Sequence, residues 1–466
     1  MSDKPTEIAY GGYHKRKLPE WDREILDTDS GTPMGEYMRK FWHPVCLAEE
    51  LTELPKAIRI LGEDLVAFRD RSGQIGILNR YCAHRGTSLE YGIVQEKGIR
   101  CCYHGWLYDV DGSLLETPAE PPDSKLKGTI FQAAYPAFER HGLVFAYFGP
   151  PEEKPEFPEY DGWHLPEDTK LVAFSNIYQC NWLQVYENIM DHHHTATLHA
   201  DMTVDSVDQS MKDGVNLDGF VDMPVMDWET TRGGNGMVFI ANRRNPDNET
   251  VWMRITEMQF PNFLQIGALF PSARRERHSS MCLSRWHVPV DNENMIMFGW
   301  RHFNEEVDPD AQGVAADCGY DKIDFLVGQS RRDYDIGQRA PGDWEALNSQ
   351  HGGISRHSVE HPATSDVGVY QCRKLLRELV RGNTPAPDSW LRQDKEGAGR
   401  RHLYTNDSVV YAPVRDDVDD MELVIKLGRE LLAIMIEADD VPSDQRDALV
   451  RKRLDDMDSG FKQATE

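Results

Sequence analysis

Apolar residues along the first third of this chain recur with the period of strands rather than helices. The runs AIRILG, LVAFRD and IGILNR, between positions 57 and 80, are separated by the turn signals GED and RSG. The same texture continues through IRCCYHGWLYDVDGSLL to GLVFAYFG at 142–149. These runs predict a small antiparallel β domain. Ahead of it, DSGTPMGEYMRKFW at 29–42 predicts a short helix, with Thr32 as N-cap, Pro33 at the first helical position and Glu36 in the first turn. Beyond position 168 the pattern changes. Long helical text, QCNWLQVYENIMDHHHTATLHA, precedes strand-length apolar pieces (MVFIANRR, VWMRITEMQF, MCLSRWHVPV, NMIMFGWRHF). Late in the chain, DMELVIKLGRELLAIMIEADDVP places Leu423, Val424, Leu427, Leu431 and Ile434 at helical spacing, as expected of a last, packing helix.

Between the two textures lies GPPEEKPEFPEYDGWHLPED at 149–168, where proline cannot continue a sheet ladder, so a linker is expected there. The expected organisation is α+β: an N-terminal segment with a short helix over 1–42, a β domain over 43–150, a linker over 151–168 and a larger helix-and-antiparallel-sheet domain over 169–466. No period of 20 to 50 residues repeats, which excludes solenoids and propellers.

Composition narrows the function. The 51 basic and 78 acidic residues give a formal net charge of −27, which repels phosphate backbones and anionic lipids and suits a basic partner protein. The opening MSDKPTEIAYGGYHKRK lacks the apolar stretch of a signal peptide, and no uncharged apolar run is long enough to span a bilayer, so a soluble cytoplasmic protein is expected. Eight irregularly spaced cysteines are too few for a disulfide scaffold and fit reduced thiols and a metal site.

Two constellations carry chemistry. Cys82-Ala83-His84 is followed, sixteen residues later, by Cys101-Cys102-Tyr103-His104, giving the pairs C-x-H and C-x-x-H. A Rieske [2Fe–2S] centre needs two thiolates on one iron and two imidazoles on the other, which two mixed loops supply. The spacing selects Cys101 over Cys102, and Cys102 is expected as a buried thiol or a neighbour of the cluster. A tetrahedral Cys2His2 zinc site is the alternative that the same four side chains allow. Gly86 and Gly105 suit close backbone approach to sulfides, and Trp106 suits a shield against water.

Downstream, NWLQVYENIMDHHHTATLH at 181–199 groups Glu187, Asn188, Asp191, His194 and His199. Asp191 and His194 share a face of an ideal helix, whereas His199 is turned about 140° away, so a shared metal requires a π-type turn or a break. Two histidines and a carboxylate make the facial triad of non-haem Fe(II). His192 and His193 compete with His194 for the ligand role.

Together these motifs resemble the oxygenase component (α subunit) of Rieske non-haem iron aromatic-ring-hydroxylating oxygenases. YCAHRG, CCYHGW and NWLQVYENIMDHHHTATLH carry the resemblance, while GTPMGEYMRKFWHPV, RWHVPVDNENMIMFGWRHF and RHSVEHPATSD look most like the phthalate dioxygenase-type branch. The resemblance implies Cys82, His84, Cys101 and His104 as cluster ligands and His194 and His199 as ligands of mononuclear Fe(II). It implies Asn188 as a non-ligand polar neighbour of the iron. It also implies that Asp191 bridges an iron-ligand histidine to a cluster-ligand histidine of the next subunit in a homotrimer or dimer of trimers. The third iron ligand falls on Asp343, or else on Glu345.

The implied activity uses O2 and electrons from a separate NAD(P)H-dependent reductase for dihydroxylation, monohydroxylation or O-demethylation of an aromatic, carboxylated substrate. Arg243, Arg244 and Arg254 are candidates to hold that carboxylate. A non-catalytic Rieske electron-transfer protein and a zinc-bound interaction module are the other classes that the residues admit.

Overall fold

The computed structural model describes residues 9–465 apart from 16, 165, 202–222, 232–233, 268–276, 328–329, 331, 340 and 384–399. The architecture is α+β, as expected: a small domain of short antiparallel sheets followed by a larger domain of helices on an antiparallel sheet. Trp42–Leu47, Leu143–Tyr147 and Ala137–Arg140 form a three-stranded base, and two four-stranded sheets stand on it. The outer part has its own core, in which Val66, Phe68, Leu78, Leu89, Ile99 and Tyr108 surround Cys82 and Cys101.

The second domain is organised by an eleven-stranded antiparallel sheet. Its main path runs Val225–Thr230, Gly236–Arg244, Thr250–Gln259, Phe263–Ile266, Leu283–Pro289, Met295–Phe303 and Lys170–Tyr178. Successive side chains alternate between its faces. On one face, Trp286 and Trp300 pack 5.3 and 5.8 Å from Phe145 of the base sheet, which docks the β domain there. That face also receives the helix Asp420–Glu437, whose Val424, Leu427 and Leu431 pack with Val238, Ile240 and Met253. On the opposite face, Phe239 stacks on His192 at 5.0 Å and His287 lies 5.3 Å from Tyr186, so this face carries the segment 182–201. Within one chain the sheet therefore separates the β domain from that segment.

Several elements differ from expectation. The helix expected at 29–42 is confined to Pro33–Met38, with Thr32 Oγ1 accepting from the Gly35 N–H at 3.2 Å, because Trp42 already enters the base sheet; a short helix, Arg23–Leu26, precedes it. The proline-rich stretch 151–168 is exposed at 151–154 and packed further on. Tyr160 and Trp163 are buried, and Asp161 accepts hydrogen bonds from His402 at 3.0 Å and Arg446 at 2.9 Å. Asp420–Glu437 is not the last helix; Ser443–Thr465 follows it and packs Val450 and Leu454 into the same core, a sparse apolar stripe in an otherwise charged sequence. Among the described residues no helix is long and apolar enough to cross a membrane.

One buried ion pair ties the segment 182–201 to its outer cover, the helix Val367–Val380. Arg373 Nε and Nη2 donate to the two Glu187 oxygens at 2.7 and 2.5 Å, and Nη1 donates to Glu360 at 2.5 Å. Removing one partner leaves an uncompensated buried charge. Arg373→Ala should therefore destabilise the protein by about 3–5 kcal/mol, read as a lowered denaturation midpoint, and adding Glu187→Gln should recover part of the loss.

Candidate iron centres

The first centre is built by two loops with the same hydrogen-bond plan. In the loop after Ile75–Asn79, Cys82 N–H donates to Thr87 O and Gly86 N–H closes the turn on Cys82 O at 2.8 Å. In the loop after Ile99–Arg100, Cys101 N–H donates to Trp106 O and Gly105 N–H closes on Cys101 O at 3.1 Å. Both glycines sit at positive φ, 73° and 71°, which residues with a Cβ adopt at a cost.

Each loop thus buries its cysteine and leaves its histidine half-buried. The His84 and His104 rings meet edge to face at 4.6 Å, and Trp106 stacks on His84 at 4.4 Å. Tyr108 Oη lies 3.2 Å from Cys82 Sγ. Burial pushes the Cys82 thiol up, with the neighbouring Cys101 sulfur adding to the shift, so a metal must displace its proton. Cys102 is exposed, so of the two roles expected of it the buried thiol falls away.

Four donors on one tetrahedral ion would crowd together. Among the described residues, Cys82, His84, Cys101 and His104 do not form a set whose donor atoms all fall within 4.8 Å of one another, whereas His194, His199 and Asp343 do. Two buried thiols on one side and two adjoining imidazoles on the other suit a two-iron cluster. Gln132, which sequence spacing did not reveal, sets the first loop: its Oε1 accepts from Ala83 N–H at 2.7 Å, and its Nε2 donates to Asn79 O and Tyr81 O at 2.8 and 3.0 Å.

The second centre depends on a broken helix. Trp182–Glu187 is α-helical and Asn188–Met190 is a 3-10 turn; Asp191 then leaves helical geometry at φ −104°, ψ 79°. His192–His194 form another 3-10 turn, and Thr195–Asp201 is a π-helix. Both the break and the π-type turn anticipated from the spacing of His194 and His199 are present, and the two rings come to 5.2 Å. Asp343 Oδ1 stands 3.4 Å from His194 Nε2 and 3.5 Å from His199 Nε2. Ligands about 2.1 Å from a shared ion stand about 3 Å apart in a facial arrangement, so the three fit.

Local contacts prepare the donors. His194 Nδ1 donates to the Asp191 main-chain carbonyl, leaving Nε2 for a metal. Asn188 Nδ2 is 3.5 Å from Asp343 Oδ1, at the outer limit of a hydrogen bond. Burial opposes the Asp343 charge, yet His199 and His194 hold its carboxyl well below the usual range. Burial likewise opposes the His194 cation, and Asp343 raises that group despite it. His192 is buried, and its pKa is pushed well below the ordinary value by burial and by Arg243 and Arg254. Neither His192 nor His193 joins the close-set donors.

Glu345 has other work: it accepts from Gly342 N–H at 2.9 Å at the head of Asp343–Asn348 and pairs with Arg332 at 3.2 Å. That favours Asp343 over Glu345 as the third donor. Of the proposed carboxylate-binding arginines, Arg244 pairs with Asp420, Arg254 pairs bidentately with Asp407, and Arg243 donates to Thr195 Oγ1 at 2.9 Å.

A mixed Cys/His cluster on a β domain and a two-histidine, one-carboxylate site on a sheet-and-helix domain define a two-centre iron oxygenase. Residues 41–136 match the Rieske [2Fe-2S] domain, and residues 146–316 match the LigXa C-terminal domain like family. The chain is 55% identical over 459 residues to the tert-butanol monooxygenase / tert-amyl alcohol desaturase oxygenase subunit of Aquincola tertiaricarbonis, covering 97% of each chain. It is 36% identical to the phenoxybenzoate dioxygenase subunit alpha of Ectopseudomonas oleovorans, over 78% of this chain and 87% of that one. The structure of NdmB from Pseudomonas putida CBB5 shares the fold, with a TM-score of 0.53 at 21% identity, over 78% of this chain and 96% of that one.

The chain belongs to the oxygenase (α) subunits of the Rieske non-haem iron oxygenases. It is an oxidoreductase of that class whose cofactors are a Rieske [2Fe–2S] cluster and a mononuclear iron. Zinc-module and electron-transfer-only readings are thereby set aside.

Replacing His84 or His104 with Ala should abolish the Rieske visible and EPR signature while leaving mononuclear iron bound, because the two donor sets lie on separate elements. Asp343→Ala should lower mononuclear iron content with the cluster spectrum intact, whereas Glu345→Ala should retain iron and lose about 1 kcal/mol of stability through its lost cap, measured by metal quantitation and thermal unfolding.

Proposed function

We propose that this subunit is a monooxygenase that inserts one oxygen atom into an unactivated alkyl C–H bond of a small tertiary alcohol. The 55% identity over 97% of both chains to a tert-butanol monooxygenase subunit is the observation that carries the reading. It replaces the expected aromatic acid as first choice, since Arg244 and Arg254, two of the three arginines considered for a carboxylate, are paired with the chain's own aspartates. Electrons come from a separate NAD(P)H-dependent reductase, and the working unit is a homotrimer or a dimer of trimers.

In this reading Cys82, His84, Cys101 and His104 hold the cluster, and His194, His199 and Asp343 hold the iron. When bound, the two groups supply single electrons and O2 activation, so that one oxygen atom enters the substrate and the other leaves as water with two electrons and two protons. The chain's residues supply position. The Asp191 carbonyl fixes the His194 ring, Arg243 holds Thr195 within the π-turn, and the Arg373–Glu187 pair anchors the helix preceding both. Since the Asp191 carbonyl already serves His194, its side chain is left for the cluster-ligand histidine of a neighbouring subunit.

With a surrogate reductase and NADH, 2-methylpropan-2-ol should yield the corresponding 1,2-diol by mass spectrometry; turnover of phenoxybenzoate or phthalate with none of the alcohol would contradict the assignment. Asp191→Asn should keep both metals and bind substrate, yet slow oxidation of a pre-reduced cluster at least a hundredfold in a single turnover. Near-wild-type decay of the reduced-cluster absorbance would remove the bridging role.

A further inference from the structure

Between the sheet and the segment 182–201 lies Arg285, which makes no ion pair with any of the described residues. Arg285 belongs to Leu283–Pro289, on the face that also presents His287 to Tyr186. Its register partner on the next strand is Gly299, which places no side chain beside it. Ser284 and Trp286 on either side are buried, while Arg285 itself is only half-buried. Its Nη1 reaches the Met297 thioether at 3.6 Å, and its Nε has no hydrogen-bond partner. Among the described residues no carboxylate stands within ion-pair distance of it. Arg244, Arg254 and Arg301 on the same sheet each have an aspartate.

Tyr178 lies on the same face of the sheet as Arg285, since Tyr178 pairs with Met295 and Met295 with Pro289, four positions along the strand from Arg285. The end of Lys170–Tyr178 is fastened to the helix that begins at Asp343, because Trp344 Nε1 donates to Ile177 O at 2.8 Å. Burial pushes the Tyr178 phenol up, Asp343 adds to that and Arg285 opposes it, so all three groups feel one another. Burial lowers the Arg285 pKa, with Tyr178 and Asp343 opposing the shift. Asp343 nevertheless does not satisfy the guanidinium, for its Oδ1 faces His194 and His199. A guanidinium held in such a layer is unfavourable unless something accepts its hydrogen bonds.

We propose that Arg285 is the polar anchor of the substrate site: its guanidinium donates to an oxygen acceptor on the substrate, a tertiary hydroxyl or a carboxylate, and so turns the alkyl end toward His194, His199 and Asp343. The inference rests on the oxygenase reading of this layer. It assigns orientation to Arg285, because a substrate bound through its oxygen turns its alkyl carbons toward the three donors.

Calorimetric binding to the purified holoprotein tests it with three molecules of similar shape: 2-methylbutan-2-ol, 2,2-dimethylpropanoate and 2,2-dimethylbutane. Arg285→Met should weaken the alcohol or the carboxylate about tenfold or more and leave the hydrocarbon unchanged or tighter, with iron content and cluster spectrum retained. Arg285→Lys should recover part of the loss, and it keeps the test available should the Met variant fail to fold. Equal losses for all three molecules, or none for either oxygenated one, would overturn the anchor. Wild-type binding of the carboxylate alone, lost in Arg285→Met, would keep the anchor and refute the tertiary-alcohol function.

Discussion

Side chains alternate across the eleven-stranded sheet, and that alternation divides the molecule's chemistry. Trp286 and Trp300 point to the side where Phe145 docks the Rieske domain; Arg285 and His287 point to the side covered by the iron-site segment. The sheet is continuous from Val225–Thr230 to Lys170–Tyr178, so neither centre reaches the other in the same chain without passing through close-packed strands. A fold that keeps the two centres on opposite faces supports the proposal that electrons enter the iron site from a neighbouring chain, with Asp191 as the bridging residue.

The same sheet explains why the iron site needs an irregular backbone. A regular helix laid on it would bury one stripe and turn His194 and His199 apart. Here the helix ends after Glu187, breaks at Asp191 and resumes as a π-turn; Arg373 at Glu187 and Arg243 at Thr195 hold it from outside, and the Asp191 carbonyl holds His194 from within. Irregularity stabilised by tertiary contacts lets two histidines five positions apart face one carboxylate from a distant helix.

What the sequence revealed follows from how local each signal is. The candidate cluster donors lie in two short loops whose Cys, His and Gly fall within five positions, so spacing alone singled them out and preferred Cys101, which is buried, while the exposure of Cys102 was not legible. The conflict between helical period and histidine spacing likewise announced the π-turn. Asp343 was harder, being more than 140 residues from His199 in a helix start that offers two acidic residues; only folding distinguishes them, by bringing Asp343 to His194 and His199 and leaving Glu345 as a cap. Gln132, Arg373 and Arg285 carry no local mark, because their roles depend on partners far along the chain. The helix Ser443–Thr465 was missed because its apolar stripe, Val450, Leu454, Met457 and Phe461, is sparse among charged residues, and the packing of Asp161 against Arg446 joins segments far apart in the chain.

Complementation between two inactive chains tests the division of centres most directly. One chain would carry His104→Ala and lack the cluster; the other would carry His194→Ala and lack the mononuclear iron. Co-expressed under different tags and isolated as mixed oligomers, they should regain a substantial fraction of wild-type turnover, because each intact centre finds its counterpart on a neighbour. Mixed oligomers as inactive as either parent, with both remaining centres verified by spectroscopy and metal analysis, would contradict the account and place the electron path within a single chain.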